Sequence, residues 1–356
     1  MKTENNNESM DDALVGTINK MMTIIVILVI SIVVIPFLVY FLPSPKKELV
    51  VEPGLPTQSS NIANSQAENS SGNFWKPASL EAIQDQNQKA RIEYGRDLIA
   101  HTAKYLGPKG SVAKINNGMN CQNCHLDAGT KVFGNNFGSV ASLYPKMRAR
   151  SGSVEDIFKR INDCFERSLN GKALDTNSAE LVAIKAYIEY IGSNVEKGKK
   201  AEGSGFKELA FLDRSADASN GKLVYDAKCE SCHQSNGEGI MTNESKEYTY
   251  PPLWGKNSYN DGAGLYRISN FAKYVKYNMP LGASHQSPLI TDEEAWDVAA
   301  YINSQPRPHK NTRMDWPDIS KKPIDYPFGP YSDKFSEEQH KYGPFKPIEE
   351  SRKKNK

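Results

Sequence analysis

The chain has almost no net charge: 44 lysines and arginines stand against 42 aspartates and glutamates, leaving +2 over 356 residues. A nucleic-acid binder carries a basic excess or stripe, so no nucleic-acid partner is expected. Apolar residues are also sparse, at 38%, which is low for one large core. Part of that share sits in a single N-terminal run. The remainder suits two or three domains, each gaining from a large apolar cofactor to fill its interior. Histidine is rarer still, with six in the whole chain.

Two of those six follow cysteine pairs: Cys121-Gln122-Asn123-Cys124-His125 and Cys229-Glu230-Ser231-Cys232-His233. A zinc ribbon or a thioredoxin-like pair needs no histidine directly after the second cysteine, and the two pairs are too far apart for one ribbon. Cys-x-x-Cys-His is the c-type haem attachment pattern. Its thiols form thioethers to the porphyrin, and its histidine is an axial iron ligand. The expected cofactors are two covalently bound haem c, held by Cys121 and Cys124 with His125, and by Cys229 and Cys232 with His233.

Residues 23–42, TIIVILVISIVVIPFLVYFL, carry no charge and are long enough to span a bilayer. The run exceeds the apolar region of a secretory signal and leads into Pro43-Ser44-Pro45-Lys46-Lys47, so an uncleaved anchor is expected. Pro36 is tolerable in a membrane helix. Lys46 and Lys47 weakly favour the opposite orientation by the positive-inside rule. Export of c-type haem domains decides instead: a single pass through the cytoplasmic membrane, residues 1–22 inside and the haem domains on the periplasmic side. Residues 43–73 read as a flexible tether, with 52–73 rich in Ser, Asn, Pro and Gly.

The remainder shows a weak duplication, each half carrying a helix, the haem motif, a loop region and a closing helix. The expected fold is mainly α: two class I cytochrome c-like domains in tandem (74–205 and 206–306), preceded by one transmembrane helix and followed by an irregular wrap (307–356). Ile92, Gly95, Leu98, Ile99 and Tyr105 have helical spacing before the first motif; Gly221 and Tyr225 precede the second. The closing helices hold Ala186-Tyr187-Ile188 and Ala300-Tyr301-Ile302. Capping boxes are read at Asn177 with Glu180 and at Thr291 with Glu294. In cytochrome c folds the first and last helices cross where a glycine admits an aromatic residue, which pairs Gly95 with Tyr187 and Gly221 with Tyr301. Seven aromatics in the last segment, from Trp316 to Phe345, are too many for a solvated tail. An irregular chain wrapped on the domains, with a disordered last turn of lysines, is expected.

Each iron needs a sixth ligand. Met279, in Asn278-Met279-Pro280, lies between the second motif and its closing helix, the usual place for a methionine ligand; His285 is the alternative. The first motif has no Met-Pro partner. Its candidates are Met147 and the fifth cysteine, Cys164. Val154, Ile157, Phe158, Ile161, Cys164, Phe165 and Leu169 have helical spacing, so Cys164 faces inward. A buried structural cysteine is the plain alternative. Arg160 and Ser168, at i−4 and i+4, share the stripe of Cys164, and a guanidinium beside a thiol favours thiolate.

Residues 160–171, Arg-Ile-Asn-Asp-Cys-Phe-Glu-Arg-Ser-Leu-Asn-Gly, following Cys121-Gln122-Asn123-Cys124-His125, resemble the dihaem thiosulfate dehydrogenases, also called tetrathionate synthases or tetrathionate reductases. The likeness covers about residues 75–306, and the first domain is similar to the sulfur-oxidation A subunit as well. The resemblance implies His/Cys ligation of haem 1 by His125 and Cys164, with the substrate there. It implies His/Met ligation of haem 2 by His233 and Met279. It carries the catalytic roles to Cys164, Arg160, Ser168 and, upstream, Arg150. Some members have lysine beside the haem 2 methionine and exchange ligands; this chain has Asn278. The implied reaction interconverts two thiosulfate with tetrathionate and two electrons. The implied partner is a small cytochrome c or a membrane quinol/cytochrome system. Two other readings are a membrane-tethered electron carrier without turnover and a subunit that joins thiosulfate to a protein cysteine. A pure carrier has no need of a thiolate beside arginine, and the subunit role rarely comes with an anchor.

Overall fold

The computed structural model describes residues 73–354, apart from Asn243 and Ser245, together with Gly16, residues 19–25 and Leu28. The chain divides into two units, Met1–Ser70 and Ser71–Lys356. The described residues of the first unit are helical. The expected anchor and tether lie almost entirely outside the described residues. Among those described, no helix is long and apolar enough to cross a membrane.

The second unit is mainly helical and holds two apolar cores. Helix α1 (Gln86–Ala100) is capped by Asp85, whose carboxylate accepts from the Asn87 and Gln88 amides, satisfying two orphan donors. It buries Ile92, Gly95, Leu98 and Ile99, the spacing read in the sequence, whereas Tyr105 falls in a separate short helix, Thr102–Leu106. A hairpin, β1 (Lys146–Arg148) and β2 (Ser153–Glu155), leads into α2 (Ile157–Arg167). Val154 is therefore not part of that helix. It pairs with Met147 across the hairpin, and both are exposed. Helix α3 (Ala179–Ile191) closes the first half. Its cap is Ser178, which accepts from the Leu181 amide, not Asn177. Glu180 instead accepts from the Tyr94 hydroxyl at 3.1 Å, so tertiary pairing with α1 displaces the expected capping box.

In the second half, α4 (Ala218–Lys228), α5 (Ile268–Asn278) and α6 (Asp292–Ser304) surround the second core, with a small hairpin of β3 (Ile240–Met241) and β4 (Tyr248–Tyr250). Here the capping box forms as read, with Thr291 and Glu294 each accepting from the other's amide.

The crossing glycines are where the sequence placed them. A Cβ on Gly95 would lie 2.0 Å from the Ala183 carbonyl oxygen and 2.9 Å from Tyr187 Cβ. One on Gly221 would lie 1.9 Å from the Asp297 oxygen and 2.9 Å from Tyr301 Cβ. Backbones this close admit only glycine, and each crossing holds an attachment motif between a first and a last helix.

The C-terminal segment corrects an expectation. It is irregular only in part: α7 (Glu337–Tyr342) and α8 (Lys346–Lys354) are helical. Phe345 and Ile348 are buried in the second core, Phe345 lying 5.7 Å between ring centroids from Trp296. Lys353 and Lys354 are helical, against the expected disorder, while Asn355 and Lys356 lie outside the described residues.

Candidate active site

The first cleft lies between α1, α2 and α3 and is walled by Ile99, Ile157, Ile161, Phe165 and Ile184. Cys121, His125, Arg160 and Cys164 face into it. The chain after the motif turns back through left-handed Asp127 and Ala128. This brings the Asn135 carbonyl to His125, whose Nδ1–H donates to it at 2.6 Å. Phe137 stacks on the ring at a centroid distance of 4.5 Å. Fixing Nδ1 leaves Nε2 free as a ligand atom, the usual orientation device of metal-binding histidines.

Across the cleft, Arg160 Nη1 donates to Cys164 Sγ at 2.9 Å. Burial works to raise the Cys164 thiol. The adjacent Arg160 guanidinium, and then His125, outweigh it and lower the pKa from 9.0 to about 6. Cys121 and Cys124 show the contrast: burial pushes both up to about 12. The surroundings of Cys164 thus favour thiolate, and those of Cys121 and Cys124 do not.

Other arginines on this face are neutralised. Arg150 Nη2 donates to Asp163 Oδ2 at 3.1 Å, and Lys159 Nζ reaches the other oxygen at 2.7 Å. Arg148 pairs with buried Glu155 at 3.6 Å. Arg167 pairs with Asp315 through two bonds of 2.8 Å. The structure therefore brings Cys164 and Arg160 together, but Arg150 is turned to Asp163 and does not line the cleft. Ser168 does not line it either; it is the C-cap of α2, one turn beyond Cys164. Met147, 61% exposed on β1, is removed as a ligand candidate, because the hairpin turns it to solvent.

The second cleft is lined by Cys229, Cys232, His233 and Met279, among others. His233 Nδ1–H donates to the Pro251 carbonyl at 2.8 Å, repeating the arrangement at His125. His285 is not part of this lining. It packs on Phe74 and Phe133 at centroid distances of 5.2 and 5.1 Å, so the alternative ligand is held elsewhere. Cys124 and Leu126 also line this cleft, and Tyr274 donates to the Asn123 carbonyl at 2.8 Å. The two attachment motifs are thus neighbours. Sequence reasoning missed Asn135, Phe137, Asp163 and Asp315. Asp163 beside Cys164 was legible as a helix carboxylate four residues from Lys159; the others had no local signal.

Two apolar clefts, each with a paired-cysteine motif and an oriented histidine beneath crossed helices, define a tandem c-type cytochrome. The residues present fit two covalently attached haems. Family profiles agree: residues 218–306 match "Cytochrome c", and residues 111–196 match "SoxA/TsdA, cytochrome c domain". The chain is 38% identical over 237 residues to a thiosulfate dehydrogenase of Psychrobacter arcticus, covering 66% of this chain and 69% of that protein. It is also 38% identical over 198 residues to one of Allochromatium vinosum, covering 54% and 72%. A solved structure, thiosulfate dehydrogenase (TsdBA) from Marichromatium purpuratum, superposes with a TM-score of 0.61 at 31% identity. The match spans 67% of this chain and half of that one. The chain belongs to the dihaem thiosulfate dehydrogenase family.

Proposed function

We propose that this chain interconverts two thiosulfate and tetrathionate at the first cleft, with electrons exchanged through the second. Its family makes it an oxidoreductase acting on thiosulfate. The observation that carries the site assignment is the 2.9 Å contact of Arg160 with Cys164. Both anions need fixed positive charge, and a guanidinium suits sulfonate oxygens. The Cys164 thiolate and the sulfane sulfur of one thiosulfate join in an S–S bond, giving up two electrons and leaving Cys-S-S-SO3−. The sulfane sulfur of a second thiosulfate then attacks the sulfur that bears the sulfonate. Tetrathionate forms and Cys164 leaves as thiolate, with charge conserved. Haem c supplies one-electron acceptors; two of them match a two-electron couple.

In this reading His125 and Cys164 hold the first haem iron, and His233 and Met279 the second. Arg160 binds the anion. Ser168 and Arg150 act from outside the cleft, Arg150 after release from Asp163. A thiolate ligand from Cys164 would lower the potential of a haem held there and a Met279 thioether would raise that of the other, which would favour electron exit at the second site. A small cytochrome c or a membrane quinol/cytochrome system receives them. Residues 23–42 anchor the protein in the cytoplasmic membrane with the haem domains outside.

Cys164→Ala tests the reading. The variant is expected to keep both haems, lose the thiolate low-spin signal of the first, and lose nearly all thiosulfate–tetrathionate activity. Full activity in the variant, or none in the wild type in either direction, would leave an electron carrier instead.

A further inference from the structure

Residues 309–325 lie outside both matched family regions, yet they grip the helices that carry Cys164 and Met279. Asp315 takes the Arg167 guanidinium through both oxygens at 2.8 Å, with the two side chains only 10% and 11% exposed. The next residue, Trp316, adopts a left-handed φ of 63°, costly for an L-residue. Its amide donates to the Arg150 carbonyl at 2.7 Å. Pro317 then covers the hairpin turn, 2.5 Å from where a Gly152 Cβ would stand. The lead-in and the end of α2 are thus both held by three consecutive residues. Further on, buried Asp325 accepts from Arg267 Nε at 2.9 Å and from the Ser269 amide at 3.2 Å. These residues open α5, the helix whose far end is Met279.

We propose that residues 309–325 are a strap that sets α2 and α5 relative to each other, with Asp315 the positioning residue for the Cys164 site. The role rests on the reading of Cys164 and Met279 given above. Its physical content is partly mechanical and partly electrostatic. Asp315 cancels Arg167 as Asp163 cancels Arg150. The Arg160 guanidinium is left to face the thiol, so charge in the cleft is set by Arg160 and not by a cluster of arginines. Removing the Asp315 charge leaves a buried guanidinium uncompensated close to Arg150, leaves the end of α2 to its bonds with Asn260 and Gly262, and makes the field at Cys164 more positive.

The test uses the full-length holoprotein as wild type, Asp315→Asn and Asp315→Glu, with potentiometric titration of both haems, the ferric low-spin spectrum and steady-state kinetics. In Asp315→Asn the first haem potential is expected to rise and its thiolate signal to change, while the second potential holds. The kcat with thiosulfate should fall roughly tenfold to a hundredfold, the scale of a small misplacement. Asp315→Glu should restore all three. Unchanged potential and signal in Asp315→Asn, or equal shifts at both haems, would overturn the strap. Should Asp315→Asn fail to fold, Asp325→Asn tests the other end: the second potential should then shift and the first hold, and the reverse would overturn it. The potentials and spectra need no turnover. An inactive wild type would therefore sink the proposed reaction while these readouts still decide the strap.

Discussion

At Cys164 two neighbours, Arg160 and His125, change the chemistry. Burial alone pushes a thiol up, as at Cys121 and Cys124, both to about 12. The Arg160 guanidinium at 2.9 Å, with His125, reverses the direction. In the proposed reaction Arg160 is both the partner of the thiolate and the cation offered to an incoming anion. Arg160→Ala is expected to lower kcat/KM for thiosulfate by about 30-fold, equivalent to about 2 kcal/mol for a lost bond to a charged group. The thiolate signal should change less than in Cys164→Ala, because charge is removed and not the ligand. Steady-state kinetics with an artificial acceptor, beside the ferric spectrum, reads both effects; unaltered kcat/KM would take Arg160 out of the site.

At the scale of elements, the two helix crossings decide whether the attachment motifs are held. Each depends on one glycine, because the facing carbonyl occupies the space of a Cβ. Gly95→Val is expected to destabilise the first core by about 3 kcal/mol or more, as overpacking against backbone cannot be relieved by a rotamer change. Gly264→Ala, where nothing stands within 4 Å of the added Cβ, should stay within about 0.5 kcal/mol. Thermal unfolding followed by far-ultraviolet circular dichroism separates the two; equal midpoints would refute the close-crossing account. The caps show how local rules and tertiary pairing compete. Glu294 accepts from the Thr291 amide while also pairing with Lys228, so its box survives a tertiary partner, whereas Glu180 is taken by Tyr94 and its helix starts from Ser178.

On the scale of the whole molecule, two small cores are joined by more than chain connectivity. The first attachment motif packs against the second cleft, and the C-terminal segment bonds to both halves. Phe345 and Ile348 complete the second core, so the last segment belongs to the fold and not to a tail. The proposed anchor makes a separate prediction. The full chain is expected in the membrane fraction and extractable by detergent, and a chain lacking residues 1–42 but exported by another signal should be soluble with both haems. Full-length protein recovered as a soluble species beginning near residue 45 would favour a cleaved signal.

The haem motifs, the inward stripe of α2 and both crossing glycines were determined by the sequence, since each is set by spacing along one element or by a covalent pattern. That Met279 lines the second cleft agrees with its reading as a Met-Pro between the second motif and its closing helix. The tertiary structure decided what depends on distant partners. It turned Met147 to solvent, placed His285 against Phe74 and Phe133, and gave Arg150 to Asp163. It also drew Asp315 across to Arg167. No periodicity encodes such pairings: a carboxylate in an irregular segment carries no mark of the arginine it will meet, because that meeting is fixed only when the cores bring the two segments together.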